Sequence, residues 1–299
     1  MSFFLAIQQV PKMAELCTPQ CRHDACEEVF ERVHVMPRVA GGTRVEWSLF
    51  SDFTDPAPHT FQLEVGATGS NLSDDWQAVG LPAEDAFFLV DDTQRVYGKT
   101  QWTHYRVKLT TSEGVYYSQP QDTSGHLGRR DWRIAREVLR RELLMLRKYT
   151  GRRGYLLKMR YTGTPCPRCL DYQTDEVRDQ DCPVCLGTGK ISGYYAPIPC
   201  VYAAVHPISG EDHLDPAQAR GMVNDVHTKG RMLAVPQMLH RDVWIDRDSD
   251  SRWKIHRVEN ICEIRGVALV CEVDLRLIPF SDPLYQLAMP DQVPEDVYL

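Results

Sequence analysis

Four cysteines carry the clearest chemical signal in the chain. Cys166-Pro167-Arg168-Cys169 and Cys182-Pro183-Val184-Cys185 form the pattern C-x2-C-x12-C-x2-C. A two-residue gap lets each pair curl into a tight turn, so that both thiolates reach one ion at about 2.3 Å. Thiolates favour zinc, and an iron-sulfur cluster is the open alternative. Four thiolates close the coordination shell, so we expect a structural zinc site and not an enzyme.

A second cysteine group lies near the N-terminus. Cys17, Cys21 and Cys26, with His23 between them, could supply three thiolates and an imidazole to another metal. Their C-x3-C-x4-C spacing matches no common zinc knuckle, and unpaired cysteines beside a short helix are the alternative interpretation. Both interpretations stay open.

Enzyme motifs are weak. His240-Arg241-Asp242 superficially resembles a kinase catalytic loop, but the sequence has no glycine-rich phosphate loop or Asp-Phe-Gly beside it. Acidic pairs fall in turn-like sequence, where aspartate is common for backbone reasons. We therefore expect no catalytic residues.

The second cysteine pair extends into Cys182-x-x-Cys185-x-Gly187-x-Gly189. This unit resembles the C-x-x-C-x-G-x-G repeat of DnaJ-type zinc modules, in which glycines permit close turns around the metal. The first pair departs from the repeat, because Leu170-Asp171-Tyr172 follows Cys169, and the chain has no J-domain. The resemblance implies a zinc hairpin over residues 161–196 and no co-chaperone activity.

A basic helix precedes this hairpin. Apolar residues at three- and four-residue spacings predict a helix over 131–150 whose packed side contains Ile134, Ala135, Val138, Leu139, Leu143, Leu146 and Tyr149. The remaining face presents cations, which are the candidate contacts to nucleic acid or to a partner: Arg133, Arg136, Arg140, Arg141, Arg147 and Lys148. We assign residues 122–160 to a basic linker helix.

An N-terminal segment, 1–28, precedes a stretch of short β runs over 29–121. Predicted strands begin near Thr43, Thr60, Ala86 and His104, and turn residues separate them. Trp47 in Val45-Glu46-Trp47-Ser48, the run Asp75 to Val79, and Tyr105-x-Val107-x-Leu109 before Gly114-x-Tyr116 resemble strands of a fibronectin type III domain. The resemblance implies a β-sandwich that binds or spaces and does not catalyse.

The C-terminal part, 197–299, is again β-rich. Asp242–Asp246, Arg252–Val258 and Val267–Ile278 read as strands, Arg247 to Ser251 and Arg265-Gly266 read as turns, and the last strand is long enough to be bent or bulged. A small β-barrel with a C-terminal tail fits this pattern. The predicted fold class is thus mainly β and multidomain: a sandwich, a central helix with a zinc hairpin, and a small barrel.

Composition excludes several classes of protein. The chain has 299 residues, 43% of them apolar, and no apolar run long enough for a membrane-spanning helix. Ten cysteines are too few for a disulfide scaffold and indicate a reducing compartment. The net charge is -7, yet residues 128–160 hold twelve Lys or Arg and three acids, which is +9 and leaves -16 elsewhere.

The combination of these parts resembles neck and head-tail connector proteins of tailed bacteriophages. The stretches Gly230 to Leu233, Asp242 to Ile245, Arg252 to Ile255 and Leu277 to Tyr285 look like the barrel of head-completion, or stopper, proteins. Arg147 to Gly151 and Cys166 to Tyr195 look like helix-plus-zinc segments of phage structural proteins.

That resemblance implies a virion protein assembled in the host cytoplasm, where it forms a homo-oligomeric ring in the neck. The ring would contact portal or adaptor proteins and tail proteins, line the DNA channel, and touch packaged DNA transiently and without sequence preference. It implies no membrane partner. The alternative function is a zinc-dependent nucleic-acid-binding regulatory protein, which the basic helix favours and the acidic remainder disfavours.

Overall fold

The computed structural model describes residues 29–290, apart from 39–41, 52, 54, 56, 72–73, 94–103, 123–126, 128, 172–173, 175 and 205–225. Its strands form three sheets and one closed barrel, and the described residues contain one α-helix. The prediction of a mainly β chain with a barrel is therefore confirmed. The group of Cys17, Cys21, Cys26 and His23 lies outside the described residues.

The N-terminal part consists of two antiparallel sheets. The first has the order β1-β2-β5, made of β1 (Phe30–Pro37), β2 (Thr43–Leu49) and β5 (Phe88–Asp91). The second has the order β4-β3-β6-β7, made of β3 (Thr60–Gly66), β4 (Gln77–Glu84), β6 (His104–Thr110) and β7 (Val115–Tyr117), and β8 (Gln121–Asp122) also pairs with β6.

The two sheets share one core, because alternate residues of β2, β3 and β6 point to the same side. Buried residues from both sheets pack together, among them Val45, Leu63 and Val107. The ring of Trp47 lies 5.0 Å from that of Phe61, across the two sheets. Such aromatic pairs add about 0.5–1.5 kcal/mol beyond their area burial.

One helix follows the sandwich. α1 (Arg129–Met145) continues as a π-helical turn, Leu146–Thr150, so the predicted helix is confirmed and starts two residues earlier than expected. Its buried side chains pack on the β-rich C-terminal part, where Ala135 and Leu139 contact a cluster that includes Leu269 and Val270. The helix is therefore docked along its length and is not a free linker.

Two residues predicted on the packed side of this helix are exposed instead. Ile134 is 43% exposed and Tyr149 is 72% exposed. The apolar positions of the helix span more than one face, and the barrel covers only the part centred on Ala135, Leu139 and Leu143. The opposite face therefore mixes apolar residues with cations.

The C-terminal part contains six long strands, β9 (Arg152–Leu157), β12 (Ile198–Ala204), β13 (His227–Leu233), β14 (Val243–Asp246), β15 (Arg252–Ile264) and β16 (Val267–Leu277). They form one closed barrel with the order β12-β13-β16-β15-β14-β9. The two-residue strands β10 (Leu170–Asp171) and β11 (Glu176–Val177) pair with each other between β9 and β12 and lie outside the barrel. All six barrel strands contribute to one buried cluster, which includes Leu156, Tyr202, Met232, Trp244, Ile255 and Val273.

Strand β9 was not expected, because it lies within residues 122–160, which the sequence assigns to a basic linker helix. The strand begins with Arg152-Arg153, which continues the charge pattern of the helix, so the sequence shows no boundary between the helix and the strand. Gly154 lets β9 approach β14 closely: a Cβ there would stand 2.0 Å from the carbonyl oxygen of Ile245. The barrel thus begins before the metal hairpin, and the hairpin is an insertion between β9 and β12.

The long hairpin of β15 and β16 confirms two further predictions. Arg265 and Gly266 form its turn with φ values of 49° and 81°, as a two-residue hairpin turn with a primed geometry requires. The pairing register shifts at three places between Ile255 and Glu263, so the hairpin is bulged. Such bulges bend a strand and help a sheet to close on itself.

Across the described ranges, no helix combines the length and the apolar character needed to cross a membrane.

Candidate metal centre

The structure brings the four predicted cysteines together. All four are at most 2% exposed, and their sulfur atoms lie within 4.8 Å of one another. Four thiolates around one tetrahedral ion, at a metal–sulfur distance of about 2.3 Å, stand about 3.8 Å apart. The Sγ–Sγ distance of Cys166 and Cys182 is 3.9 Å, and that of Cys169 and Cys185 is 3.0 Å. The four cysteines could therefore hold one metal ion.

Backbone hydrogen bonds shape the two cysteine turns. The N–H of Leu170 donates to the carbonyl of Cys166, and the N–H of Leu186 donates to that of Cys182, so each pair is closed by a turn of the same kind. The N–H of Cys166 donates to the carbonyl of Gly189 at 2.8 Å. This bond joins the first turn to the second and fixes the distance between the two pairs.

The glycines of the second pair adopt backbone conformations that other residues rarely take. Gly187 and Gly189 have φ values of 75° and 79°. At Gly187 a Cβ would lie 2.5 Å from the carbonyl oxygen of Gln180. At Gly189 a Cβ would lie 2.9 Å from the side chain of Val177. The sequence pattern predicted a role for both glycines in the turns, and the structure shows the steric reason.

We expect Gly187→Ala to destabilise the hairpin by about 1–3 kcal/mol, because alanine is strained at positive φ and collides with the Gln180 carbonyl. Transfer of the metal to a chelator should then be roughly ten times faster. Gly114→Ala is the matched control, since its added Cβ would meet Tyr116 at an ordinary 3.6 Å. Equal transfer rates for the two variants would contradict the steric role.

The thiols of Cys169 and Cys182 have unequal proton affinities. Burial raises the pKa of Cys169, and hydrogen bonds with the neighbouring thiols raise it further. Burial also acts to raise the pKa of Cys182, but backbone N–H groups of Cys185 and Val184 and the neighbouring thiols outweigh it and lower the pKa to about 7. Metal binding therefore has to displace protons from the thiols that hold them at neutral pH.

The hairpin is tied to the barrel at its base. Bridges of Met159 with Tyr194 and of Pro165 with Lys190 pair the two legs of the hairpin, and the Nη2 of Arg241, just before β14, donates to the carbonyl of Gly187 at 3.2 Å and so joins the hairpin to the barrel. The sandwich also contacts this base: the rings of Phe87 and Tyr195 lie 4.8 Å apart. The four-cysteine hairpin therefore lies where the sandwich and the barrel meet.

A buried ion pair supports this junction. The Nζ of Lys158 donates to Asp242 Oδ2 at 2.7 Å and to the carbonyl of Gln237 at 2.6 Å. Asp242 is 0% exposed and also accepts the backbone N–H groups of Met159 and Leu239. Burial raises the pKa of Asp242, while Lys158 acts against that rise.

Sequence reasoning missed this pair. The two residues are 84 positions apart in the sequence. Only their immediate neighbours indicate burial: Lys158 interrupts the apolar run Leu156-Leu157-Lys158-Met159, and Asp242 directly precedes Val243-Trp244-Ile245. A charge at the end of a buried strand indicates a paired group, but nothing in the sequence names its partner.

The six predicted cations, four on α1 and two on the π-helical turn after it, fall into two sets. Arg133, Arg140, Arg141 and Lys148 are exposed, whereas Arg136 and Arg147 are half-buried and make further interactions. None of the six belongs to the cysteine cluster. Glu137 pairs with Arg140 at 2.9 Å and with Arg141 at 2.7 Å, and hydrogen bonds from these two arginines lower the pKa of Glu137 to about 2.

Comparisons of the chain with protein-family models, with curated proteins and with solved structures give no match.

Proposed function

We propose that the protein is a structural component of the neck of a tailed bacteriophage, where a ring of identical chains joins the portal or adaptor to the tail and surrounds the DNA channel. One observation carries the proposal. The segments that resemble stopper proteins, Gly230 to Leu233, Asp242 to Ile245 and Arg252 to Ile255, coincide with strands β13, β14 and β15 of one closed barrel.

The metal in this proposal is zinc with a structural role. Four buried thiolates can occupy all four positions of a tetrahedral ion, which leaves none for water or substrate. The cluster joins the two ends of the cysteine segment inserted between β9 and β12, so the bound ion would hold the backbone of that segment in place. The proposal accordingly includes no enzymatic activity.

The sandwich is proposed to be a fibronectin type III-like module on the outside of the ring. Its strand orders, β1-β2-β5 and β4-β3-β6-β7, support this assignment, as does Trp47 in the core beside Phe61. Such sandwiches expose two sheet faces and several loops, which suits contacts between subunits or decoration of the particle.

Immunogold labelling of tailed particles from the lysate that produces this protein tests the proposal. Antibodies against the chain should label the junction between head and tail, and mass measurement of the purified protein should show a homo-oligomer. A stable monomer that is absent from every particle would contradict it.

The second candidate is a nucleic-acid-binding regulator, favoured by the exposure of Arg133 and Lys148, which have no ion-pair partner among the described residues. Glu137→Gln discriminates the two functions, because it frees Arg140 and Arg141 for phosphate contacts. A regulator should bind short duplex DNA in the wild-type form, more tightly in the variant, and less tightly as salt rises. The neck protein should bind the same duplex weakly or not at all.

A further inference from the structure

The outer face is defined here as Ile134, Arg141, Leu144 and Met145 of α1 together with Lys148 of the π-helical turn that continues it. We infer that this face docks onto the β4 surface of a second copy of the chain, defined as Asp74, Gln77, Leu81 and Glu84. This inference rests on the proposed ring and names the contact between neighbouring subunits.

The outer face is a single face of the helix. Successive α-helical residues turn by about 100°, so positions 134, 141 and 145 fall within about 40° of one another and at least about 120° from the buried Leu139, and Lys148 follows in the π-helical turn. Ile134 is 43% exposed and Met145 is 51% exposed. A helix that leaves such residues in solvent on one face has an apolar stripe that the described part of its own chain does not cover.

Cations flank and interrupt this stripe. The side chain of Arg141 is 75% exposed, and Lys148 is also exposed, with no ion-pair partner in the described part of the chain. The carboxylate of the neighbouring Glu137 forms ion pairs with both Arg140 and Arg141, so one acid faces two cations. The outer face is therefore both apolar and positive.

This mixture favours a protein partner over nucleic acid. Phosphate contacts need cations and hydrogen-bond donors, and they gain nothing from Ile134 or Met145 between the charges. Apolar side chains ringed by charges are typical of protein interfaces, in which the apolar centre supplies affinity and the charges select the partner.

The β4 surface has the complementary chemistry. Residues 80–82 bulge out of the ladder opposite Gln62, with Gly80 at a φ of 70°, and the bulge leaves Leu81 84% exposed. Exposed acids stand at both ends of the strand, Asp74 before it and Glu84 at its last position. Within the described residues β4 pairs with β3 alone, so its outer side is open.

The two surfaces also agree in length. The eight residues of β4 extend about 26 Å at about 3.3 Å per residue. The fourteen steps from Ile134 to Lys148 extend about 21 Å at about 1.5 Å per residue. Leu144 and Met145 lie between Arg141 and Lys148, as Leu81 lies between Asp74 and Glu84, so charged and apolar side chains follow in the same order on the two surfaces.

Charge also decides the symmetry of the contact. Two outer faces packed on each other would bring Arg141 and Lys148 of both copies together, which repulsion opposes. Contact between two different surfaces is heterologous, and it generates a ring when the rotation closes. Arg141 and Lys148 of one copy then face Asp74 and Glu84 of the next, which sets two cations against two acids.

A charge exchange tests the contact. The variant Arg141→Glu with Lys148→Glu should weaken self-association of the full chain at least tenfold, measured by sedimentation equilibrium at about 0.1 M salt, because like charges then face each other. Adding Asp74→Lys and Glu84→Lys to that variant should restore association to near the wild-type value. Arg257→Glu, an exposed change on β15 that belongs to neither surface, is the control that should assemble normally.

Metal content and far-UV circular dichroism establish that each variant is folded. If wild type assembles and the Arg141→Glu, Lys148→Glu variant assembles equally well, the docking contact is wrong while the ring survives. Loss of assembly without rescue by the acid-to-lysine changes contradicts β4 as the partner surface. A wild-type chain that remains monomeric and absent from particles contradicts the ring itself.

Discussion

Replacement of Cys169 by serine is expected to abolish metal binding and to unfold the hairpin over residues 161–196. A hydroxyl is a poor ligand in place of a thiolate, and the four sulfur atoms, rather than a large apolar core, hold this segment together. Structural zinc sites contribute about 10–16 kcal/mol of apparent binding free energy at neutral pH, so loss of the ion outweighs any single packing change. Metal analysis of the purified protein and limited proteolysis of the hairpin measure both effects.

Cys262→Ser is the matched control, because Cys262 is half-buried beside α1 and takes no part in the cluster. It should retain one equivalent of metal per chain. Zinc, in contrast to an iron-sulfur cluster, should leave the protein without visible absorption. Full metal content in the Cys169→Ser variant would contradict the four-thiolate site.

Replacement of Lys158 by methionine is expected to lower the free energy of unfolding by about 3–5 kcal/mol at pH 7, since it leaves the buried carboxylate of Asp242 without its counter-charge. The loss should shrink as pH falls. Burial raises the pKa of Asp242 in the folded state, so the penalty on the charged form is present above that pKa and disappears as the carboxyl becomes protonated. Urea unfolding at pH 7 and pH 5, each compared with wild type, measures the change.

Two further variants serve as controls for the Lys158→Met result. Arg257→Ala removes an exposed ion pair with Glu259 and should change stability by less than about 1 kcal/mol. The double variant Lys158→Met, Asp242→Leu removes both charges and should recover part of the loss, although the N–H groups of Met159 and Leu239 then lose an acceptor. A single variant as stable as wild type would show that the pair does not support the junction.

The cysteine cluster was predictable because its information is local. Two C-x2-C pairs, twelve residues apart, specify four ligands without knowledge of the fold, and Gly187 and Gly189 mark the turns around them. The strands near Thr43, Thr60, His104, Val243 and Arg252 were also predictable, since alternation or turn residues define them.

The remaining features depend on contacts between distant residues. Strand β9 could not be separated from the basic helix because Arg152-Arg153 continues its charge pattern, and its strand character comes from pairing with β12 and β14. Ile134 fits the helical period but lies outside the part of α1 that the barrel covers. Lys158 and Asp242 meet only when the barrel closes.

The position of the metal hairpin between β9 and β12 has a kinetic consequence. These strands pair directly, yet about forty residues separate Leu157 from Ile198, and the entropic cost of joining two chain ends grows with the length of the loop between them. A metal-bound hairpin shortens that loop before the strands meet. We therefore expect the ion to act as a folding nucleus, so that the supply of metal during synthesis sets how fast the barrel closes and how long its apolar strands stay open to aggregation.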